Sequence, residues 1–134
     1  MQFTRRDTLQ LGLAGISGIG LGALLPSVAA ARDSYQTSAG EIVVEPVEHA
    51  SFVMTTPGLV IYNDPVGGGA KYQGMAPAGL VLITHEHADH FHPETLAAIV
   101  GADTKLVVNP SVMEKLPADM KAKATAIGNG QSAT

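Results

Sequence analysis

The sequence has no cysteine and no tryptophan. Without cysteine there is no disulfide, no thiolate zinc site and no cysteine nucleophile, and an oxidising compartment imposes nothing on the chain. Aromatic residues make up only 4% of the 134, so a core must rest on Val, Leu, Ile, Ala and Met. Charge is scarce as well. Lys and Arg total 8 against 12 Asp and Glu, a net charge of −4, and no basic cluster stands out. Such a surface is a poor match for a phosphate backbone, so nucleic acid is not expected as a partner. There is no internal repeat. Gly67-Gly68-Gly69 runs into Ala70-Lys71-Tyr72 and not into Gly-Lys-Ser/Thr, which excludes a Walker-type phosphate loop and leaves a flexible loop as the expectation.

What the chain does have is concentrated. Four of its 5 histidines lie in His85-Glu86-His87-Ala88-Asp89-His90-Phe91-His92. The apolar run Leu80–Thr84 precedes this segment, and Pro93-Glu94-Thr95-Leu96 follows it as a helix start. Strand and helix fix the backbone on either side, and the loop can aim imidazoles inward. On an extended backbone His85 and His87 leave the same face, so both can grip one metal. Asp89 and His90 come where the chain turns and can reach a second. Imidazole and carboxylate ligands suit zinc, and also iron or manganese. Other metal motifs are excluded by the letters: there is no His-Glu-x-x-His helix, and no cysteines follow the His-x-Glu, as a zinc deaminase requires.

Residues 1–31 read as an export signal. Arg5-Arg6 sits in a short polar start, an uncharged glycine-rich stretch follows from Leu11 to Leu25, and Ser27-Val28-Ala29-Ala30-Ala31 offers small residues for cleavage. The pair resembles a twin-arginine (Tat) signal. A periplasmic or secreted location is therefore expected, with the Tat translocase as export partner. The competing expectation is a retained membrane anchor, since the uncharged span is long enough to cross a bilayer. Without this segment Arg5, Arg6 and Asp7 are lost, and the net charge moves from −4 towards −5.

Residues 32–40 are polar and read as a flexible lead-in. Strands are expected over 41–47, 50–56, 59–62, 80–84 and 105–109 from their β-branched content, with Pro57-Gly58 as a hairpin turn. The fourth is apolar without alternation, as in a strand buried on both faces. Short helices are expected over 93–100, with His92 as N-cap, and over 110–116. Gly128-Asn129-Gly130 reads as a turn.

The histidine segment resembles the first motif of the metallo-β-lactamase superfamily, His-x-His-x-Asp-His, here His85-x-His87-x-Asp89-His90. His49-Ala50-Ser51-Phe52 and Tyr62-Asn63-Asp64-Pro65 are similar to elements of the branch related to ascorbate-6-phosphate lactonase. The likeness spans roughly residues 41–127. It implies an α/β (α+β) fold, the first half of a four-layer αββα sandwich, carried by residues 41–134. It implies that His85 and His87 bind a first zinc, that Asp89 and His90 bind a second, and that Asp89 also orients or deprotonates the attacking water. His49 and Asp64 are expected to support these ligands from outside. The implied activity is hydrolysis of an ester, lactone or phosphoester, with a small-molecule substrate; a homo-oligomer is compatible. Two zincs need about six ligands, some shared, and no histidine follows His92. The sequence is therefore expected to be a truncated or fragmentary form, or one completed by a partner chain. A non-catalytic metal-binding or docking module is the alternative.

Overall fold

A computed structural model describes residues 32–133. The expected signal, residues 1–31, and the terminal Thr134 lie outside the described residues. Among the described residues seven strands form one sheet in chain order: β1 (Asp33–Thr37), β2 (Gly40–Glu48), β3 (Ser51–Thr56), β4 (Leu59–Asn63), β5 (Leu80–Ile83), β6 (Lys105–Val108) and β7 (Ala124–Ala126). The first four are antiparallel, and β4 to β7 are parallel. The change follows from the connections. Turns join the first strands, at Gly40 (φ 120°) and at Pro57-Gly58 (Gly58 φ 96°), where glycine takes the positive φ without steric cost. Parallel pairing instead needs a crossover. These crossovers carry a 3₁₀ turn (Gly69–Tyr72), helix α1 (Pro93–Ile99), and helices α2 (Pro110–Lys115) and α3 (Ala118–Lys121).

The parallel strands advance in one direction across the sheet, so right-handed crossovers place every helix on the same face. The buried core lies there: Val53, Tyr62, Val81, Ile83, Leu106 and Val108 of the sheet meet Leu96, Val112, Leu116 and Met120 of the helices. On the opposite face Leu80, Leu82 and Val107 are only half-buried. The expectation of a β5 buried on both faces is thus corrected: among the described residues one face is covered. Both longer helices start as the sequence suggests. Pro93 and Pro110 occupy first-turn positions, and the side chains of His92 and Asn109 accept from the backbone N–H of Thr95 and Ser111.

Residues 32–40, expected as a flexible lead-in, instead contain β1, paired with β2 from Asp33↔Val44 to Thr37↔Gly40. The strand is exposed throughout, so it lacks the apolar alternation that marks a half-buried strand. The glycine run is packed and not loose. Gly67 and Gly68 have φ of 82° and 89°, the Gly68 N–H donates to Thr95 Oγ1 at 2.9 Å, and a Cβ on Gly69 would sit 2.5 Å from that of Ala98. It lies against α1.

The topology gathers one set of loops. The chain leaves β4, β5 and β6 at the same sheet edge. Because β3 runs antiparallel to β4 with Phe52 opposite Asn63, the turn between β2 and β3 reaches that edge too. Carboxyl ends of parallel strands are where open α/β sheets place their ligands.

Candidate metal centre

Asp64 is the hub of this edge. It follows β4 in a left-handed conformation (φ 41°) and is 1% exposed. Its N–H donates to Leu82 O at 2.9 Å, locking it beside the end of β5. Oδ1 accepts from the Thr84 N–H at 2.7 Å. Oδ2 accepts from the Thr84 hydroxyl at 2.8 Å and from His90 Nδ1 at 2.9 Å. A buried carboxylate is tolerable only with such donors around it.

These bonds decide which histidine nitrogens remain free. Thr84 has one hydroxyl proton, and it goes to Asp64 Oδ2. The 2.9 Å contact between Thr84 Oγ1 and His85 Nδ1 must therefore have His85 as donor. His85 and His90 thus both carry their proton on Nδ1 and leave Nε2 as a lone-pair donor. Outer partners that fix a tautomer in this way are characteristic of metal-binding histidines. The segment folds back on itself through His90 N–H and Phe91 N–H, both donating to His87 O at 2.9 and 2.8 Å. The Phe91 ring is buried in the core and anchors the turn. As a result the rings of His85 and His87 lie 4.6 Å apart, and those of His85 and His90 4.0 Å apart.

On the other flank His49 Nε2 is 3.0 Å from Asp89 Oδ2, and His90 Nε2 is 3.7 Å from the same oxygen. His49, Asp89 and His90 each offer a ligand atom within 4.8 Å of the others. Its own backbone N–H is the largest of the causes that hold the Asp89 carboxyl below its ordinary value, against some desolvation, so it is ionised at neutral pH. Glu86 reaches towards α2. It accepts from the Ser111 hydroxyl at 2.6 Å, which together with its own backbone N–H and with Lys115 lowers its pKa despite some desolvation. His92 is turned towards α1: Nδ1 accepts from the Thr95 N–H at 3.2 Å and faces Thr95 Oγ1 at 2.9 Å.

The structure thus brings His85, His87, Asp89 and His90 to one edge, with Asp64 behind His90 and His49 beside Asp89. The donor set fits a divalent ion: oriented imidazole nitrogens and an ionised, half-exposed carboxylate. Two contributors were not singled out in the sequence. Thr84 relays Asp64 to His85, and its only signal is a hydroxyl directly before the motif. Ser111 ties Glu86 to α2, and nothing local announces it.

A family profile described as the beta-lactamase superfamily domain matches residues 44–133. The chain belongs to that superfamily. Among solved structures it is similar to a protein of Parabacteroides distasonis, provisionally described as a metal-dependent hydrolase, with 30% identity and a TM-score of 0.64. The match covers 75% of this chain and 44% of that one, so the chain spans under half of that relative's length. A comparison with curated proteins found no match. The mixed seven-stranded sheet with helices on one face therefore corresponds to part of the metallo-β-lactamase fold.

Proposed function

We propose that this superfamily member serves an exported hydrolase that uses divalent metal, zinc first and manganese or iron as alternatives, on an ester, lactone or phosphoester. The observation that carries the reading is the pair of fixed tautomers: Asp64 and Thr84 turn His90 and His85 so that both Nε2 atoms are free. His85 and His87 would hold one ion, and Asp89 and His90 a second. Bound metal would polarise the carbonyl or phosphoryl group and acidify water. Asp89 is the residue for proton handling. Its carboxylate is ionised, is half-exposed at the open edge, and can orient the attacking water or take its proton. Asp64, 1% exposed, holds His90 and takes no part in proton transfer.

The Asp64-Pro65 element and His49-Ala50-Ser51-Phe52 favour lactone or ester chemistry, by likeness to the lactonase-related branch. The arginine pair and alanine site favour Tat export and a periplasmic or secreted location. Elemental analysis and turnover on a panel of lactones and phosphodiesters, measured on one preparation of the full-length native protein, test the reading. Hydrolysis that disappears with chelation and returns with metal supports it. A metal-loaded protein inert on every panel member would favour a non-catalytic metal-binding module.

A further inference from the structure

We propose that His49 is itself a metal ligand, forming a three-residue site with Asp89 and His90 within this chain. The inference rests on the metal-dependent reading above and goes beyond it, since that reading gives His49 only a supporting place. Three observations carry it. The first is convergence: the ligand atoms of His49, Asp89 and His90 lie within 4.8 Å of one another, and His49 Nε2 points at Asp89 Oδ2 from 3.0 Å. Three protein ligands with an open position for water are the usual complement of a catalytic zinc.

The second is backbone conformation. His49 has φ of 49°, in the left-handed region that disfavours a residue bearing a side chain. Asn or Gly would make this turn more easily, so the imidazole is held there at some expense. The third is the bracing of the turn that carries it. Asn63 Nδ2 donates to Ala50 O at 3.1 Å. The Ser51 hydroxyl donates to the carbonyl of Asp64, the residue whose carboxylate orients His90. His49 and His90 are thus set from the same fixed point, with ring centroids 5.3 Å apart. An imidazole that merely paired with a surface carboxylate would not need that bracing.

The test is titration of the full chain with Zn²⁺ and with Co²⁺, the latter followed by its d–d absorption. His49→Gly removes the imidazole and relieves the positive φ. His49→Asn also tolerates that φ and serves if the glycine variant fails to fold by circular dichroism. Loss of a ligand predicts a fall in affinity of more than about 100-fold, beyond the roughly 10–100-fold typical of an outer partner, together with a changed Co²⁺ spectrum. An unchanged spectrum with a smaller fall overturns the proposal and leaves His49 as a support for Asp89. A parent chain that binds neither ion overturns this proposal and the metal-dependent reading together. Binding by the parent with His49→Gly equal to it overturns this one alone.

Discussion

Asp64 and His90, 26 positions apart, are joined by a 2.9 Å hydrogen bond between Oδ2 and Nδ1, with Asp64 almost wholly buried and the His90 side chain 17% exposed. The bond connects the loop after β4 to the turn after β5. It fixes the tautomer of His90, and the same oxygen, by accepting from the Thr84 hydroxyl, fixes that of His85.

Asp64→Asn is the sharpest probe of that connection. Asn tolerates the left-handed backbone, so strain does not confound the result. It offers one oxygen where the carboxylate offers two, and its NH₂ would face the donors Thr84 and His90. The expected cost is about 1.5–3 kcal/mol, the scale of hydrogen bonds to a charged group, read from urea unfolding. Metal affinity is expected to fall by roughly 10–100-fold, as for lost outer partners. Unchanged affinity in a stable variant would remove Asp64 from ligand orientation.

Glu86 and Ser111 give a pH prediction. The Glu86 carboxyl is held below its ordinary 4.5 chiefly by the Ser111 hydroxyl. A depressed folded-state pKa contributes stability that is present above the unfolded value and is lost as pH falls through the folded one. Ser111→Ala should therefore lower stability at neutral pH while flattening the loss of stability on the acid side below 4.5. Thermal unfolding of metal-free protein across that range checks it. Parallel pH profiles in parent and variant would show that this contact carries no such linkage.

Most of the sheet and the whole histidine loop were legible in the sequence, for local reasons. Leu80–Ile83, the motif and Pro93 follow one another, so strand, ligand turn and helix start define each other. The glycine-turned hairpin of β3 and β4 is equally local. Exposed β1, the four-residue α3 and Ala124–Ala126 carry no apolar periodicity, and they were not legible. The place of His49 beside Asp89 was expected from the family likeness alone and not from any local pattern, for a different reason. It depends on Phe52 standing opposite Asn63 in an antiparallel pair beside a parallel one. Only that combination brings the β2–β3 turn to the edge where β5 ends.

Metal should act on stability as well as on chemistry. The candidate ligands come from the β2–β3 turn and the loop after β5, and the unfolded chain does not hold them together. An ion that binds only the folded form stabilises it by about 2.7 kcal/mol at a free concentration of 100 times Kd. Thermal melts of chelator-treated protein with stepped Zn²⁺ should show a rising midpoint. A midpoint indifferent to Zn²⁺ would argue that these side chains do not form a site in the folded chain.

Export supplies an independent test of the N-terminal reading. Replacing Arg5 and Arg6 with lysine keeps the charge and removes the guanidinium pair that a twin-arginine signal carries. The variant is expected to remain in the cytoplasm of a Tat-competent host, while the parent is recovered outside it with a chain starting near Ala31 or Arg32. Equal export of both would defeat the Tat assignment and leave a general secretory signal standing.

Asp89→Asn separates catalysis from metal storage. The Asp89 side chain is 56% exposed and faces both His49 and His90, so it can reach an ion and a water together. Asn keeps the shape and one oxygen but cannot hold charge or accept the proton that leaves water. In the full-length native protein, the ion held by His85 and His87 should stay largely in place. Turnover should fall by roughly 10² or more, the usual scale of lost general-base help. His85→Ala should lose that ion and the activity together, because its Nε2 is one of the two lone pairs that Asp64 and Thr84 set in place. Metal content and hydrolysis must be measured on the same preparations, since a fall in turnover matched by a fall in metal would indicate ligation alone. Full activity in Asp89→Asn would take this carboxylate out of the mechanism and leave proton transfer to solvent at the open edge of the sheet.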